Sequence, residues 1–218
     1  MKTPLQYQRT EYDCGPTSVL NAVSYLFGRE QIKPDILRQT MLICLDCYGA
    51  GGACGQFGTS CTAMMFLSNW FNSYGAQGNL PVRSEYLRGT GVTFTEGSSL
   101  FAAMRKGGVA VVRLFLEDPH YVLVTRQEGD MIYLFDPYYR GEPFSDCPDI
   151  RVVGDHPFSY NRIVPLYYLE QETSETPYAL GEPELREAVL FFNEKVTEVP
   201  KPDQDYTVRN LAAGGILS

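Results

Sequence analysis

A cysteine at the start of an apolar run is the first candidate for chemistry in this sequence. Cys14 is followed almost at once by an apolar stretch that extends to Phe27. The stretch is apolar nearly all round a helix, which predicts a buried helix that begins near Cys14 and ends at Gly28. Pro16 suits the first helical turn, where its missing N–H has no intrahelical partner. Free N–H groups and the helix dipole favour a thiolate there, so Cys14 is a candidate nucleophile; the plainer alternative is a small buried residue.

The chain offers two histidines as bases for this nucleophile, His120 and His156. His120 begins a strand-like run, and the next such run ends at Asp136. If residues 127–129 form a three-residue hairpin loop, His120 and Asp136 lie directly across from each other on one face. The carboxylate then fixes the tautomer and orientation of the imidazole, whereas a two-residue turn puts the pair on opposite faces. The alternatives are an exposed turn histidine and a strand-ending Asp-Pro; His156 has the setting of a plain loop residue.

Gln8, six residues before Cys14, is the fourth candidate site residue. Its side-chain amide and the backbone N–H of Cys14 could together donate hydrogen bonds to the oxyanion of a tetrahedral intermediate. Taken alone, Gln8 would pass as a solvated polar residue. Side chains supply every part of this chemistry, so the sequence calls for no cofactor.

The elements that must position these residues change character along the chain. The first half is helical, and strand-like periodicity dominates after residue 108. Helices followed by strands predict an α+β protein with an antiparallel sheet. The further predicted helices cover residues 34–43, 60–75 and 100–106, and the predicted strands cover 91–94, 109–116, 121–126, 131–135 and 162–169.

Composition limits the partners and divides the chain. The 218 residues carry a net charge of −8, which argues against nucleic acid and anionic membrane surfaces as partners. Residues 170–218 hold ten acidic and four basic residues. They are predicted to follow a catalytic domain of residues 1–169 as an acidic extension with a linker and one amphipathic helix, whose apolar face is Leu185, Ala188, Val189 and Phe192. Without an apolar leader or a membrane-length apolar run, a cytoplasmic protein with free thiols is expected.

Four further cysteines surround a glycine-rich loop at residues 48–58. The first two have a Cys-x2-Cys spacing, which raises the alternative of a tetrahedral zinc site. Two of the four fall on apolar helix faces, and the later spacings match no zinc ribbon or knuckle. Buried thiols, or a loop that borders the cleft and shapes specificity, are the other interpretations. The four are Cys44, Cys47, Cys54 and Cys61.

Taken jointly, these motifs resemble the papain-like cysteine peptidases that process double-glycine bacteriocin leaders, and their stand-alone relatives. The likeness covers roughly residues 5–169 and rests on Gln8, the Asp-Cys-Gly-Pro-Thr-Ser segment at Cys14, His120 with the apolar run after it, and Phe-Asp-Pro at Asp136. The Gly-Thr-Ser opening of the third helix belongs to the likeness too. The resemblance implies a papain-like fold, with a helical half against an antiparallel sheet and a cleft between them.

By the same resemblance, Cys14 is the nucleophile, His120 the base, Asp136 the orienting residue and Gln8 the oxyanion donor. The expected function is thiol-dependent cleavage of a peptide or protein substrate through an acyl-enzyme. Transfer of the acyl group to an amine, and an inactive peptide-binding module, are the alternatives. Leader-processing relatives are fused to transporters, and this sequence has no such segment. Since the family cuts after paired glycines, the Gly-Gly at residues 214–215 suggests self-processing or an inhibitory tail as a further alternative.

Overall fold

A seven-stranded antiparallel sheet forms the centre of the protein, of which the computed structural model describes residues 1–196. The spatial order of its strands is β1-β7-β2-β3-β4-β6-β5. In chain order they are β1 (Val82–Arg88), β2 (Val109–Leu116), β3 (Asp118–Glu128), β4 (Met131–Phe135), β5 (Arg151–Val152), β6 (Arg162–Pro165) and β7 (Glu187–Asn193). Since every neighbouring pair runs antiparallel, the predicted α+β class with an antiparallel sheet is confirmed.

The helices of the described residues lie mostly in the first half of the chain, as predicted. They are α1 (Cys14–Leu26), α2 (Pro34–Cys44), α3 (Cys61–Ala76), α4 (Ser99–Arg105) and α5 (Leu166–Leu169). The predicted N-cap of the third helix is confirmed, because the Ser60 hydroxyl accepts a hydrogen bond from the N–H of Ala63. None of the helices among residues 1–196 has the length and apolar character needed to cross a membrane.

Apolar residues cover both faces of the sheet, which explains why its central strands have almost continuous apolar sequences. In β2, Val109 and Val111 belong to the core that includes α1 and α3. Ala110 and Val112 belong to a second core, which includes α4. Helix α1 lies against β3, and this packing brings the start of α1 to the strand that carries His120.

Two predicted strands are wrong in position. Residues 92–94 are not a strand, and the strand of this region is β1, which lies earlier in the sequence. The run predicted as a strand over 162–169 is a strand only to Pro165, after which the short helix α5 begins. Val92 and Phe94 are buried in alternation, as in a strand, although they lie in a loop, and residues 162–165 are all buried, so the period could not distinguish the elements.

The amphipathic helix predicted in the acidic extension is also wrong. Leu185 ends a short 3-10 helix, Pro183–Leu185, and the other three residues of the predicted apolar face lie in β7, which lies between β1 and β2 in the sheet. Ala188 and Leu190 face one core while Val189 and Phe191 face the other. A strand buried on both faces has apolar residues at every position, and these also satisfy helical spacing. Gly214 and Gly215 lie outside the described residues.

The segment predicted as a linker, residues 170–182, packs against the body of the protein. The Glu170 carboxylate accepts a hydrogen bond from the N–H of Phe94 at 2.7 Å and pairs with the buried Arg186 guanidinium at 3.1 Å. Tyr178 and Leu180 are buried. The segment therefore holds β7 and the loop before α4 together, which its polar composition did not indicate.

Candidate active site

The turn before α1 is organised by one carboxylate and presents the cysteine. Asp13 accepts hydrogen bonds from the N–H groups of Arg9 at 3.1 Å and Thr10 at 2.7 Å. Cys14 is 6% exposed and is the first residue of α1, as predicted. A side chain at Gly15 would place its Cβ 2.4 Å from the Thr59 hydroxyl oxygen, so only glycine lets the start of α3 approach the cysteine this closely.

The hairpin of β3 and β4 differs from the predicted one in two ways that cancel. Glu128 pairs with Met131, so the loop has two residues and not three. A β-bulge at Thr125 then shifts the register by one residue. The two-residue loop alone would turn His120 and Asp136 to opposite faces, and the bulge returns them to the same face. They are diagonal neighbours, so the predicted direct pairing is wrong, although the predicted contact forms.

A short hydrogen bond joins the imidazole to the carboxylate. His120 Nε2 lies 2.7 Å from Asp136 Oδ1, and both side chains are buried. Burial alone lowers the pKa of His120, but the charge and hydrogen bond of Asp136, together with a hydrogen bond to Cys14, raise it to about 10. Burial alone raises the pKa of Asp136, but the charge and hydrogen bond of His120 lower it overall. An imidazolium–carboxylate pair follows, and Nδ1 is the ring nitrogen left for Cys14.

Four other residues hold Asp136 in place. The Tyr178 hydroxyl donates to Oδ2 at 2.8 Å, and the backbone N–H of Tyr138 donates to Oδ1 at 2.8 Å. The Asn161 side chain accepts from the N–H of Asp136 at 2.7 Å and donates to its carbonyl at 2.8 Å. Arg162, 1% exposed, donates from Nε to the Tyr178 oxygen at 3.1 Å. The carboxylate therefore keeps one orientation towards the imidazole.

Sequence reasoning missed these supporting residues. Tyr178 comes from the supposed linker, and its φ of 66° is unusual for a residue with a side chain. Such a conformation persists only where the surroundings impose it. The sequence did indicate a role for Arg162, because an arginine beside Ile163 and Val164 at the start of a buried strand needs a buried partner for its charge.

Replacing Tyr178 with phenylalanine should destabilise the protein more than the loss of an exposed tyrosine hydroxyl. Tyr178→Phe leaves Asp136 Oδ2 and Arg162 Nε with one partner fewer, at a cost of about 1–3 kcal/mol in the free energy of unfolding. Urea denaturation measures it. Tyr167→Phe is the matched control, because that hydroxyl also donates to a carboxylate, Asp149 at 2.7 Å, but its residue is 52% exposed. Equal losses in the two variants would contradict a special role for Tyr178.

Cys14 and His120 line a cleft of about 670 Å³. Its lining comes from the N-terminal segment with Gln8, from Phe57 of the glycine-rich loop and from Thr59 just after that loop. The β2–β3 turn and the segment after β4 complete the lining. The glycine-rich loop thus borders the cleft, in agreement with one of its predicted roles.

Gln8 reaches the cleft, but its amide is already engaged. Its Nε2 donates to the carbonyl of Thr10 at 2.8 Å, and its Oε1 is buried without a hydrogen-bond partner. Its backbone N–H donates to the carbonyl of Pro137 at 2.9 Å, directly after Asp136. The N-terminal segment is therefore tied to the loop that carries the carboxylate. An amide nitrogen has two N–H groups, so one remains for an oxyanion.

The zinc alternative finds no support in the arrangement of the cysteines. Among residues 1–196, no three His, Cys, Asp or Glu side chains cluster so that they could hold a metal ion. Cys44 is buried, and burial raises the pKa of its thiol, whereas Cys54 and Cys61 are exposed. His156 is outside the cleft, where it stacks on Tyr160.

Comparison with protein-family models and with curated proteins finds no match to this chain.

Proposed function

We propose that this chain is a papain-like cysteine peptidase in which Cys14, His120 and Asp136 form the catalytic triad. The observation that carries the proposal is the buried 2.7 Å hydrogen bond between His120 Nε2 and Asp136 Oδ1, with Cys14 lining the same cleft as the imidazole. A sulfur at a helix start, an imidazole and an orienting carboxylate meet at one cleft, which is the arrangement that nucleophilic acyl transfer needs. That the fold is papain-like is part of the same proposal.

The first half-reaction starts with the shared proton on Nδ1 of the His120 imidazolium and with Cys14 as the thiolate. The sulfur attacks the scissile carbonyl to form a tetrahedral intermediate. When this intermediate collapses, the C–N bond breaks and His120 gives the proton to the leaving amine. Cys14 then holds the acyl group as a thioester, and Asp136 keeps the imidazole aimed at the sulfur throughout.

In the second half-reaction, water attacks the thioester while His120 takes its proton, and the acid leaves as the thiolate is released. The backbone N–H of Cys14 and the free N–H of the Gln8 amide are the proposed donors to the oxyanion in both halves. Loss of one such donor typically costs about 2.7–4 kcal/mol of barrier.

Two other functions use the same residues. An amine that attacked the thioester in place of water would make the protein an acyltransferase or transpeptidase. A peptide-binding module without activity would keep the cleft and have no use for a reactive thiol. The buried hydrogen bonds that hold Asp136 argue against the module, because they orient a group that binding alone does not require.

Iodoacetamide labelling at mildly acidic pH tests the nucleophile. Cys14 should be alkylated at least about tenfold faster than the other five cysteines, because an imidazolium beside a sulfur favours the reactive thiolate. Site-resolved mass spectrometry compares all six in one sample, so the remaining cysteines are internal controls. A Cys14 rate no higher than theirs would favour the inactive module.

Mass spectrometry of the reaction products separates hydrolysis from acyl transfer. A proteome-derived peptide mixture is incubated with the protein, with and without a primary amine such as hydroxylamine. We expect free carboxylates at new C-termini, with amine adducts as a minor product. Adducts as the main product at low amine concentration would identify an acyltransferase.

A further inference from the structure

Unpaired polar atoms concentrate in the cleft. Among residues 1–196, seven side-chain nitrogen or oxygen atoms are buried without a hydrogen-bond partner, and three of them belong to residues that line this cleft. They are Gln8 Oε1, Thr59 Oγ1 and Arg140 Nε. Buried polar atoms in native proteins are nearly all paired, so each such atom needs a partner that the chain does not supply, either a water molecule or a ligand.

Arg140 is the most informative of the three, because its whole guanidinium is unpaired. No oxygen of the described residues accepts a hydrogen bond from it or forms an ion pair with it. The group stacks on Phe144, with its central carbon 4.4 Å from the ring centroid. Stacking fixes the plane of the guanidinium and leaves its N–H edge free, and that edge matches the two oxygens of a carboxylate.

Arg126 is a comparable arginine outside the cleft. It also stacks on an aromatic ring, that of Tyr133 at 4.0 Å, and its Nε is likewise buried without a hydrogen-bond partner. That nitrogen, however, lies 3.3 Å from the carboxylate of Glu128. Arg126 is outside the cleft. Unlike Arg126, Arg140 has no carboxylate of the described residues within ion-pair distance.

The position of Arg140 is tied to the triad by a short segment. Asp136 accepts from the N–H of Tyr138, and Arg162 Nη2 donates to the Tyr138 carbonyl at 3.3 Å. Gln8 binds the Pro137 carbonyl in the same segment. Arg140 follows two residues after Tyr138, so its distance from the reacting sulfur is set by a braced loop.

We propose that Arg140 binds a carboxylate of the substrate and thereby selects peptides with one acidic group at a set distance from the bond that is cut. The inference rests on the proposed function. The carboxylate is either an Asp or Glu side chain or the C-terminus of the peptide, and both offer the same two oxygens.

The rest of the cleft restricts the position of that group. Glu11, Glu117 and Asp118 also line it, are exposed, and pair with no cation among the described residues. They repel a second anion, so a single acidic position is expected and a general preference for acidic peptides is not. Arg113, the other cleft arginine, already donates to the Leu185 carbonyl at 3.3 Å.

Matched peptide libraries test this specificity. The probes are equimolar decapeptide mixtures, acetylated and amidated, in which one position is fixed as Glu or as Gln while the others vary. A further pair carries a free or an amidated C-terminus. For the wild-type protein, kcat/KM should favour Glu over Gln at one position, or the free C-terminus, by about tenfold or more. Arg140→Gln should bring that ratio to within about threefold of one, and the control Arg126→Gln should leave it unchanged.

Binding measured in a variant that cannot cleave the peptide distinguishes the Arg140 proposal from the proposed peptidase function. Fluorescence anisotropy measures the affinity of the same labelled mixtures for Cys14→Ala and for Cys14→Ala with Arg140→Gln. Charge-selective binding that Arg140→Gln abolishes, without cleavage by the wild-type protein, would support Arg140 and reject the peptidase. Cleavage with equal rates for the Glu and Gln partners, a preference that survives in Arg140→Gln, or no binding of any mixture would overturn the Arg140 proposal.

Discussion

A chain that ends at Leu169 should not fold. It lacks β7, which pairs with both β1 and β2 in the middle of the sheet. The three large side chains at positions 189–191 are at most 2% exposed, and each contributes about 1.5–3 kcal/mol by burial. Two neighbouring strands would also lose their hydrogen-bond partners. These losses are comparable to the whole stability of a typical domain, about 5–15 kcal/mol.

Circular dichroism and an amide NMR spectrum measure the outcome for residues 1–169. The matched control ends after Val196, which keeps every described residue, and should give a dispersed spectrum and a cooperative urea transition. A folded 1–169 chain whose Cys14 still reacts selectively would contradict the role given to β7 and would restore the predicted domain boundary.

Removal of the Asp136 carboxylate should damage both activity and stability. In Asp136→Ala the imidazole loses its orienting acceptor, and we expect kcat/KM to fall by about 10²–10⁴-fold. The same change leaves the Tyr178 hydroxyl and the Tyr138 N–H without an acceptor beside the buried Arg162. Deleting one partner of a buried ion pair typically costs about 3–5 kcal/mol, which urea denaturation will measure.

Asp136→Asn removes the charge of the side chain but nearly keeps its shape. The difference in stability between this variant and the wild type, measured at several pH values, therefore reports the effect of the charge. The raised pKa of His120 stabilises the folded state below about pH 6.5, and this contribution is lost as pH rises towards 10. The lowered pKa of Asp136 stabilises it above its usual value and is lost in acid. The stability gap between wild type and Asp136→Asn should therefore be widest between about pH 4 and 6.5.

An NMR titration of the His120 ring protons should give a lower pKa in Asp136→Asn than in the wild type. The assignment is simple because the chain has only one other histidine, His156. If the two proteins titrate alike, or if Asp136→Ala cleaves peptides within about threefold of the wild-type rate, the carboxylate does not orient the base.

The sequence predicted which residues meet at the candidate site better than it predicted the path of the chain. Cys14 could be placed because Pro16 and an apolar run mark a helix start by local rules that tertiary contacts did not override. The contact between His120 and Asp136 was expected for a reason that proved wrong. A change of one residue in loop length, or a bulge such as that at Thr125, moves the side chains of one strand to the other face relative to its partner. A bulge has no reliable sequence signal.

The structure of residues 170–193 was predicted wrongly because composition describes only the average polarity of a segment. Acidic and polar side chains share that segment with two runs of buried residues, which include Tyr178 and the apolar positions of β7. Only the tertiary structure distinguishes a strand that enters the centre of a sheet from a helix on its surface, because both have the same apolar residues. The supporting contacts of Asp136 depend on that tertiary structure, so they could not be predicted from the sequence either.

The place of β7 in the sheet also affects biosynthesis. A ribosome makes β1 and β2 before β7, so both strands reach their permanent neighbour only after Asn193 has been added. Until then the nascent polypeptide exposes two open strand edges, which invite association with other chains. Tyr178 is also translated after His120 and Asp136, so until then their contact lacks the hydrogen bond of the Tyr178 hydroxyl. The candidate site should therefore reach its final geometry only after β7 has joined the sheet.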